Sequence, residues 1–251
     1  MNRAYEDPSH VASFGGVESL YRAAQGQISK KEIQKWLQGV NSYTLHKGIR
    51  KKFPTNRVIV YAIDQQWQAD LVDLVSLLKF NKGYRYILKC IDILSKYAWV
   101  VPLKRKRGED ITNAFKVIFK DRRPRYLQTD QGTEFKNEKF QHFLKENKIK
   151  FFTTFNATKA SVVERFNRTL KTKMYKYFTF KNTHNYIDVL DQLVHSYNHT
   201  YHSSIKRAPV EVNSENEQDV CSTLYGNMEN SKRKPHVFFR KVTPWAFLKL
   251  N

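Results

Sequence analysis

The order of strand-like and helix-like segments in the centre of this chain constrains its fold more than any other feature. Three consecutive segments have the composition and alternation of β-strands, and they cover residues 67–75, 84–94 and 98–103. Helix-like and strand-like segments then alternate, with strands predicted over 125–129 and 150–155 and a last long helix over 183–200. Three strands in a row predict an antiparallel meander, and the later alternation places helices on both faces of the sheet. The predicted fold class is therefore α/β, a mixed sheet flanked by helices.

Residues 159–176, KASVVERFNRTLKTKMYK, have the pattern of an amphipathic helix. Apolar side chains recur at helical spacing and form one stripe, which consists of Val163, Phe166, Leu170, Met174 and Tyr177. The opposite stripe holds Glu164 together with Arg168 and Lys171. The simplest interpretation is a solvated helix with a Glu–Arg pair worth roughly a few tenths of a kcal/mol. If the partner of this face is a polyanion, Glu164 is repelled unless a metal ion lies between them.

Two further carboxylates favour the interpretation that Glu164 contacts a metal ion. Asp70 lies inside the first predicted strand, where an acid persists when it is paired with a cation or coordinates a metal ion. Asp130 ends the predicted strand 125–129, at the position where open α/β sheets bind ligands. Each aspartate alone is more often structural. Three hard oxygen ligands on these elements favour Mg²⁺ and metal-assisted phosphoryl transfer.

The charge balance indicates the class of partner. The chain has 251 residues, a formal net charge of +21 and 41% hydrophobic residues, enough for a sizeable core. A charge of this size predicts attraction to polyanions, above all nucleic acid. No segment has the apolar length of a transmembrane helix, and we expect no membrane partner. Cys90 and Cys221 give neither a disulfide framework nor a zinc finger, which fits a reducing compartment.

The N-terminal region, residues 1–57, is predicted to be a helical N-terminal module and a basic linker. Residues 1–13 are polar and are expected to be loose, and a capping box at Ser29 and Glu32 begins a helix. Helix, glycine-containing turn and helix outline a helix-turn-helix, but a small helical packing module is at least as good an interpretation. The basic runs 47–57 and 104–107 can contact phosphates or can simply be solvated, and 104–107 is also a candidate nuclear-localisation patch.

Three motifs carry a resemblance to a known family. WQADLVDL, LQTDQGTEF and KASVVERFNRTLK contain Asp70, Asp130 and Glu164 and resemble the D, D, E triad of the retroviral-integrase superfamily. Together with YNHTYHSSIKRAPVEV and SFGGVESLYRAAQ, they are most similar to integrases of Maverick/Polinton-type DNA transposons. The resemblance spans roughly residues 10–225, and it implies a ribonuclease-H-like (RNase-H-like) integrase catalytic core over residues 58–210.

The resemblance also implies a site and a reaction. Asp70, Asp130 and Glu164 become catalytic residues that bind two Mg²⁺ ions, for which Mn²⁺ can substitute. DNA-binding roles are implied for three cations: Lys159, Arg168 and Lys171. The implied activity is that of a DNA integrase/recombinase, in which water trims the 3′ ends of the element and strand transfer joins them to target DNA. The implied partners are element ends, target DNA and further copies of the chain, and the implied location is nuclear.

The sequence departs from the family in three places, and two other functions stay open. Slightly fewer residues separate Asp130 from Glu164 than in retroviral integrases, and no cysteine precedes Cys90, so the N-terminal module is not their zinc-binding domain. Residues 211–251 are expected to be a basic C-terminal tail, an incomplete C-terminal domain too short for a β-barrel or chromodomain. One alternative is a non-catalytic domesticated DNA- or chromatin-binding integrase relic. The other is a ribonuclease-H-type nuclease acting on RNA–DNA hybrid, which would share the metal site.

Overall fold

A computed structural model describes residues 1–46, 58–153 and 160–226. The strands are β1 (Gln66–Asp73), β2 (Tyr86–Asp92), β3 (Ala98–Leu103), β4 (Tyr126–Thr129) and β5 (Lys150–Thr153). The helices are α1 (Asn2–Glu6), α2 (Val17–Ala23), α3 (Lys30–Gln38), α4 (Asn41–Thr44), α5 (Gly108–Ile118), α6 (Thr133–Lys136), α7 (Glu138–Glu146), α8 (Ser161–Lys181), α9 (Leu190–His199) and α10 (Glu217–Tyr225). Short 3₁₀ turns cover Val75–Phe80 and Pro209–Glu211. The predicted basic linker, Lys159 and the chain beyond Gly226 lie outside the described residues.

The five strands form one mixed sheet in the order β3-β2-β1-β4-β5. The first three strands pair antiparallel as the predicted meander, whereas β4 and β5 run parallel to β1. Two register facts matter for function. Gln68 of β1 lies opposite Gln128 of β4, and Asp70 of β1 lies opposite Lys89 of β2.

Helices cover both faces of the sheet, which confirms the predicted fold class. Helices α5 and α7 enclose an apolar core that includes Trp67, Phe115 and Phe140. The other face packs against α8 and α9, the N-terminal helices pack on α8, and the shared core includes Ile87 and Val163. Successive residues of a strand point to opposite faces, so Gln68 and Asp70 of β1 point toward α8. The predicted apolar stripe of α8 is buried from Val163 to Met174, and Glu164 is exposed.

The expectation that residues 1–13 are loose was wrong. These residues include α1, and the ring of Tyr5 is fully buried and meets Phe14 and Trp36 edge to face. The predicted capping box at the start of α3 is confirmed. The N-terminal helices therefore belong to the core on the α8 face of the sheet.

Backbone carbonyl groups explain why a polar N-terminal segment is ordered. The ammonium of Lys173 donates to the carbonyl of Ser13 at 2.5 Å, and that of Lys176 donates to the carbonyl of Phe14 at 2.9 Å. Ser196 of α9 donates to the carbonyl of His10. Burial lowers the pKa of Lys173 to about 7 and that of Lys176 to about 8. Composition could not indicate this arrangement, because the groups that α8 and α9 bind are backbone atoms.

The predicted helix over residues 183–200 begins only at Leu190, so its start was wrong. The Asn81 side chain holds the turn before α9 with hydrogen bonds from both its amide oxygen and its amide nitrogen. Its oxygen accepts the amides of Tyr186 (2.7 Å) and Ile187 (3.1 Å), and its nitrogen donates to the carbonyl of His184 (2.9 Å). An asparagine about a hundred residues away in sequence thus competes with helix formation.

Part of the predicted tail is folded. Within residues 211–226 the chain forms α10, and Val220 of that helix packs with Val60 and Ile93 in a small third core. None of the helices in the described ranges has the length and apolar character that spanning a membrane requires.

Candidate active site

Asp70 of β1 lies beside the C-terminal end of β4, the neighbouring parallel strand that Asp130 directly follows. Each β1–β4 pair in the ladder joins residues 60 apart in number, the last being Gln68 with Gln128 (128 − 68 = 60). Continuing this register by two residues places Asp70 level with Asp130 (130 − 70 = 60). Asp130 directly follows the last residue of β4, as predicted. Adjacent strands are about 4.8 Å apart, so the two carboxylates can meet beyond the end of β4.

Gln68 fixes the helix turn that carries Glu164. Its side-chain oxygen accepts hydrogen bonds from the backbone amides of Val162 (3.0 Å) and Val163 (3.1 Å). The first amides of an α-helix have no partner within the helix, so this side chain acts as a cap supplied by a distant strand. Glu164 lies in this first turn of α8, as predicted. The cap therefore ties the turn of α8 that carries Glu164 to β1, the strand of Asp70.

A buried glutamine layer lies beneath the two aspartates. The side-chain oxygen of Gln128 accepts from the amide nitrogens of Gln68 (2.9 Å) and Gln66 (2.8 Å). Gln68 and Gln128 each stand two residues before an aspartate, in WQAD and LQTD, and both are buried. Residues two apart in a strand share a face, so the layer ties β1, β4 and α8 together directly below the acids. The sequence alone did not predict this layer, although glutamine stands two residues before aspartate in both motifs.

Lys89 forms a buried ion pair with Asp70 that the sequence alone did not predict. Its ammonium nitrogen lies 2.7 Å from Oδ2 of Asp70, and its side chain is only 1% exposed. Burial lowers the pKa of Lys89 to about 8, and the Asp70 carboxylate opposes that shift. The charge of Lys171 lowers the pKa of Lys89 further, and the charge of Glu164 raises it. The signal was a lysine within YILKCID, a strand in which every residue is buried.

The three predicted metal ligands suit a magnesium site by their chemistry, but their side chains do not form one in this structure. Carboxylate oxygens are the ligands that Mg²⁺ prefers, so the chemistry of Asp70, Asp130 and Glu164 fits. Their present geometry is not that of a formed site, because no three His, Cys, Asp or Glu side chains within residues 1–46, 58–153 and 160–226 are grouped to hold a metal ion. Oδ2 of Asp70 is bound to Lys89, and Oδ1 of Asp130 accepts the amide of Gly132 at 3.1 Å.

Two of the predicted DNA-binding cations lie on α8 within the described residues. The charge of Lys171 acts on Lys89, and Arg168 lines a groove of about 990 Å³ that follows α8 and is closed on its other sides by the N-terminal module, the segment 200–206 and α10. Arg165 and Lys206 line the same groove, and no carboxylate of the described residues does so. A groove with cations and no acid fits a polyanion. Lys159 stays a prediction.

The basic run 104–107 follows β3 at the end of the sheet where β1 also ends. It follows Leu103, which pairs with Tyr86, and Tyr86 pairs with Asp73 at the end of β1. All four cations are exposed, and none forms an ion pair with a carboxylate of the described chain. This end of the sheet thus combines the acidic residues with exposed positive charge.

The sequence of this chain is similar to an integrase core domain and to a transposon-derived protein. Residues 61–157 match the family model described as the integrase core domain. A transposon-derived protein of Caenorhabditis elegans is 38% identical over 136 residues, which cover 53% of this chain and 48% of that protein. The chain therefore spans about half the length of this relative.

Solved structures share the fold. A chain of the simian T-cell lymphotropic virus intasome aligns with a TM-score of 0.56 at 20% identity and covers 81% of this chain and 73% of that chain. The HTLV-2 integrase catalytic core domain in complex with magnesium aligns with a TM-score of 0.50 at 20% identity. This alignment covers 59% of this chain and 95% of that chain. At such identities the likeness shows the fold alone. The fold is thus the RNase-H-like fold of the integrase catalytic core with a helical N-terminal region, and the sequence matches support the integrase superfamily for this chain.

Proposed function

We propose that this protein is a metal-dependent DNA integrase, a polynucleotidyl transferase that processes the 3′ ends of a transposon DNA and transfers them into target DNA. One observation carries the proposal. Asp70 of β1 and Asp130 directly after β4 belong to neighbouring parallel strands, and Gln68 of β1 caps the helix turn that carries Glu164. Two Mg²⁺ ions, or Mn²⁺ in their place, would activate the attacking oxygen and stabilise the leaving one.

Each residue has a proposed role. Asp70 would contact both ions, and Asp130 and Glu164 would contact one each. Arg168 and Lys171 would hold the backbone of the DNA end along α8, and Lys159 would approach the scissile phosphate. Phosphate contacts position DNA without reading its sequence, so this basic surface suits many target sites.

The remaining finer assignments are part of the same proposal. The motifs that resemble Maverick/Polinton-type integrases support an element of that type. Two DNA ends must be joined to one target, which supports a homo-oligomer. Action on chromosomal DNA supports a nuclear location.

A second candidate is a non-catalytic DNA-binding relic of an integrase. The observation that favours it is the Lys89–Asp70 ion pair, because that pair occupies a carboxylate oxygen where metal-dependent chemistry needs a ligand. A relic would keep the basic groove and bind DNA, but it would not cut it.

One assay separates the two candidates. The purified chain is incubated with end-labelled duplexes that carry several terminal sequences, with Mg²⁺ or with EDTA, and cleaved and joined products are counted beside a gel-shift measurement of binding. The integrase proposal predicts cleavage and joining that EDTA abolishes. Binding to all duplexes with no product in Mg²⁺ or Mn²⁺ would favour the relic.

A further inference from the structure

Lys89 is a buried lysine in the middle of a central strand, and its ammonium group is bound to a proposed metal ligand. The side chain is 1% exposed, and the neighbours on its face of β2 are Ile87 and Ile91, which belong to the apolar core. A buried ammonium is strongly unfavourable unless a carboxylate pairs with it. Asp70 is that carboxylate, directly opposite Lys89 in the β1–β2 register.

The ion pair occupies an oxygen that a metal ion would use. Oδ2 of Asp70 lies 2.7 Å from the lysine nitrogen, so the ammonium is at hydrogen-bonding distance on that side. A carboxylate that contacts two ions with separate oxygens needs both of them. Here Lys89 binds Oδ2, so only Oδ1 of Asp70 has no hydrogen bond from the lysine. The Asp70 side chain is 24% exposed, which leaves it accessible to an ion from solvent.

Charge also opposes a divalent ion at this place. A double positive charge beside Asp70 would be repelled by the Lys89 ammonium, and the positive charge of Lys171 also acts on Lys89. Glu164 offsets part of this charge. The charge of Asp70 is thus already balanced by a cation that belongs to the chain.

We propose that Lys89 is an internal competitor of the divalent cation, a positioning residue that keeps metal affinity low until its ammonium group leaves Oδ2 of Asp70. The inference rests on the proposed function, since it takes Asp70 to be a metal ligand. A DNA phosphate entering the site would offer Lys89 another anionic acceptor, so metal binding and DNA binding would support each other.

The test is Lys89→Met, measured by calorimetric titration of the DNA-free full chain with Mn²⁺. Methionine keeps the length of the apolar stem and removes the charge. The variant is expected to bind Mn²⁺ at least about 10-fold more tightly than the unmodified chain. Lys82→Met is the matched control, because Lys82 also pairs with an aspartate (Asp188, 2.6 Å) but is exposed. The affinity of the Lys82→Met variant for Mn²⁺ should equal that of the unmodified chain.

Two further variants make the outcome decisive. Lys89→Gln removes the charge but can still donate to Asp70, and it replaces the methionine variant if that one does not fold. A folded, neutral variant that binds Mn²⁺ no more tightly than the unmodified chain overturns the inference and leaves the proposed function standing. If Asp70→Asn binds Mn²⁺ as well as the unmodified chain does, Asp70 is not a ligand, and both the inference and the proposed site fail.

Discussion

Replacing Asp130 by asparagine is expected to lower DNA cleavage and joining at least about 1,000-fold, because the proposed chemistry needs the negative charge of this metal ligand. The fold should be unaffected. Asp130 accepts the amide of Gly132 through Oδ1, and the carbonyl oxygen of asparagine can accept the same hydrogen bond. DNA binding should stay within roughly threefold of the unmodified chain, since the proposed contacts to DNA are made by the cations of α8 and the groove.

End-labelled duplexes in Mg²⁺ give the rate, and a gel shift gives the affinity. Asp191→Asn is the matched control, because Asp191 is an exposed aspartate of α9 outside the site. It should retain full activity. An Asp130→Asn variant that still transfers strands would remove Asp130 from the catalytic residues.

Replacing Gln68 by methionine is expected to damage both stability and activity. The change leaves the amides of Val162 and Val163 without their acceptor in a buried setting, at about 1–3 kcal/mol for each group. We expect the free energy of unfolding to fall by about 2–4 kcal/mol. The first turn of α8 should fray, and a displacement of Glu164 by about 1 Å would lower cleavage by about 100-fold.

Gln66→Met is the control for this prediction. Gln66 donates to the same oxygen of Gln128, but it has no hydrogen bond to α8. Hydrogen exchange at the amides of Val162 and Val163 reports the cap directly, and it should accelerate only in the Gln68 variant. Unchanged protection of those amides together with unchanged cleavage would show that Gln68 does not position Glu164.

Much of the fold could be predicted because its periodic signals are strong and local. The strand character of β1 to β3 and the apolar stripe of α8 are properties of neighbouring residues, and the structure confirms both. The two errors arose from contacts distant in sequence. Asn81 holds the turn before α9, and Lys173 and Lys176 bind carbonyls of the N-terminal segment. Patterns within a window cannot reveal such partners.

The same distinction applies to the site. The sequence correctly predicts which elements carry Asp70, Asp130 and Glu164. It does not predict that Lys89 faces Asp70, because the partner across an antiparallel pair depends on the register that the intervening turn sets. It does not predict the cap on α8 either, since that cap joins residues more than ninety positions apart.

The central claim is that Asp70, Asp130 and Glu164 hold the divalent ions of a DNA-cutting site. Anomalous diffraction from crystals of the full chain with a DNA end and Mn²⁺ tests it most directly. The account predicts manganese peaks about 2.0–2.2 Å from carboxylate oxygens of all three residues, with the Lys89 ammonium moved off Oδ2 of Asp70. Manganese bound elsewhere, with the Lys89–Asp70 pair intact beside a bound DNA end, would contradict it.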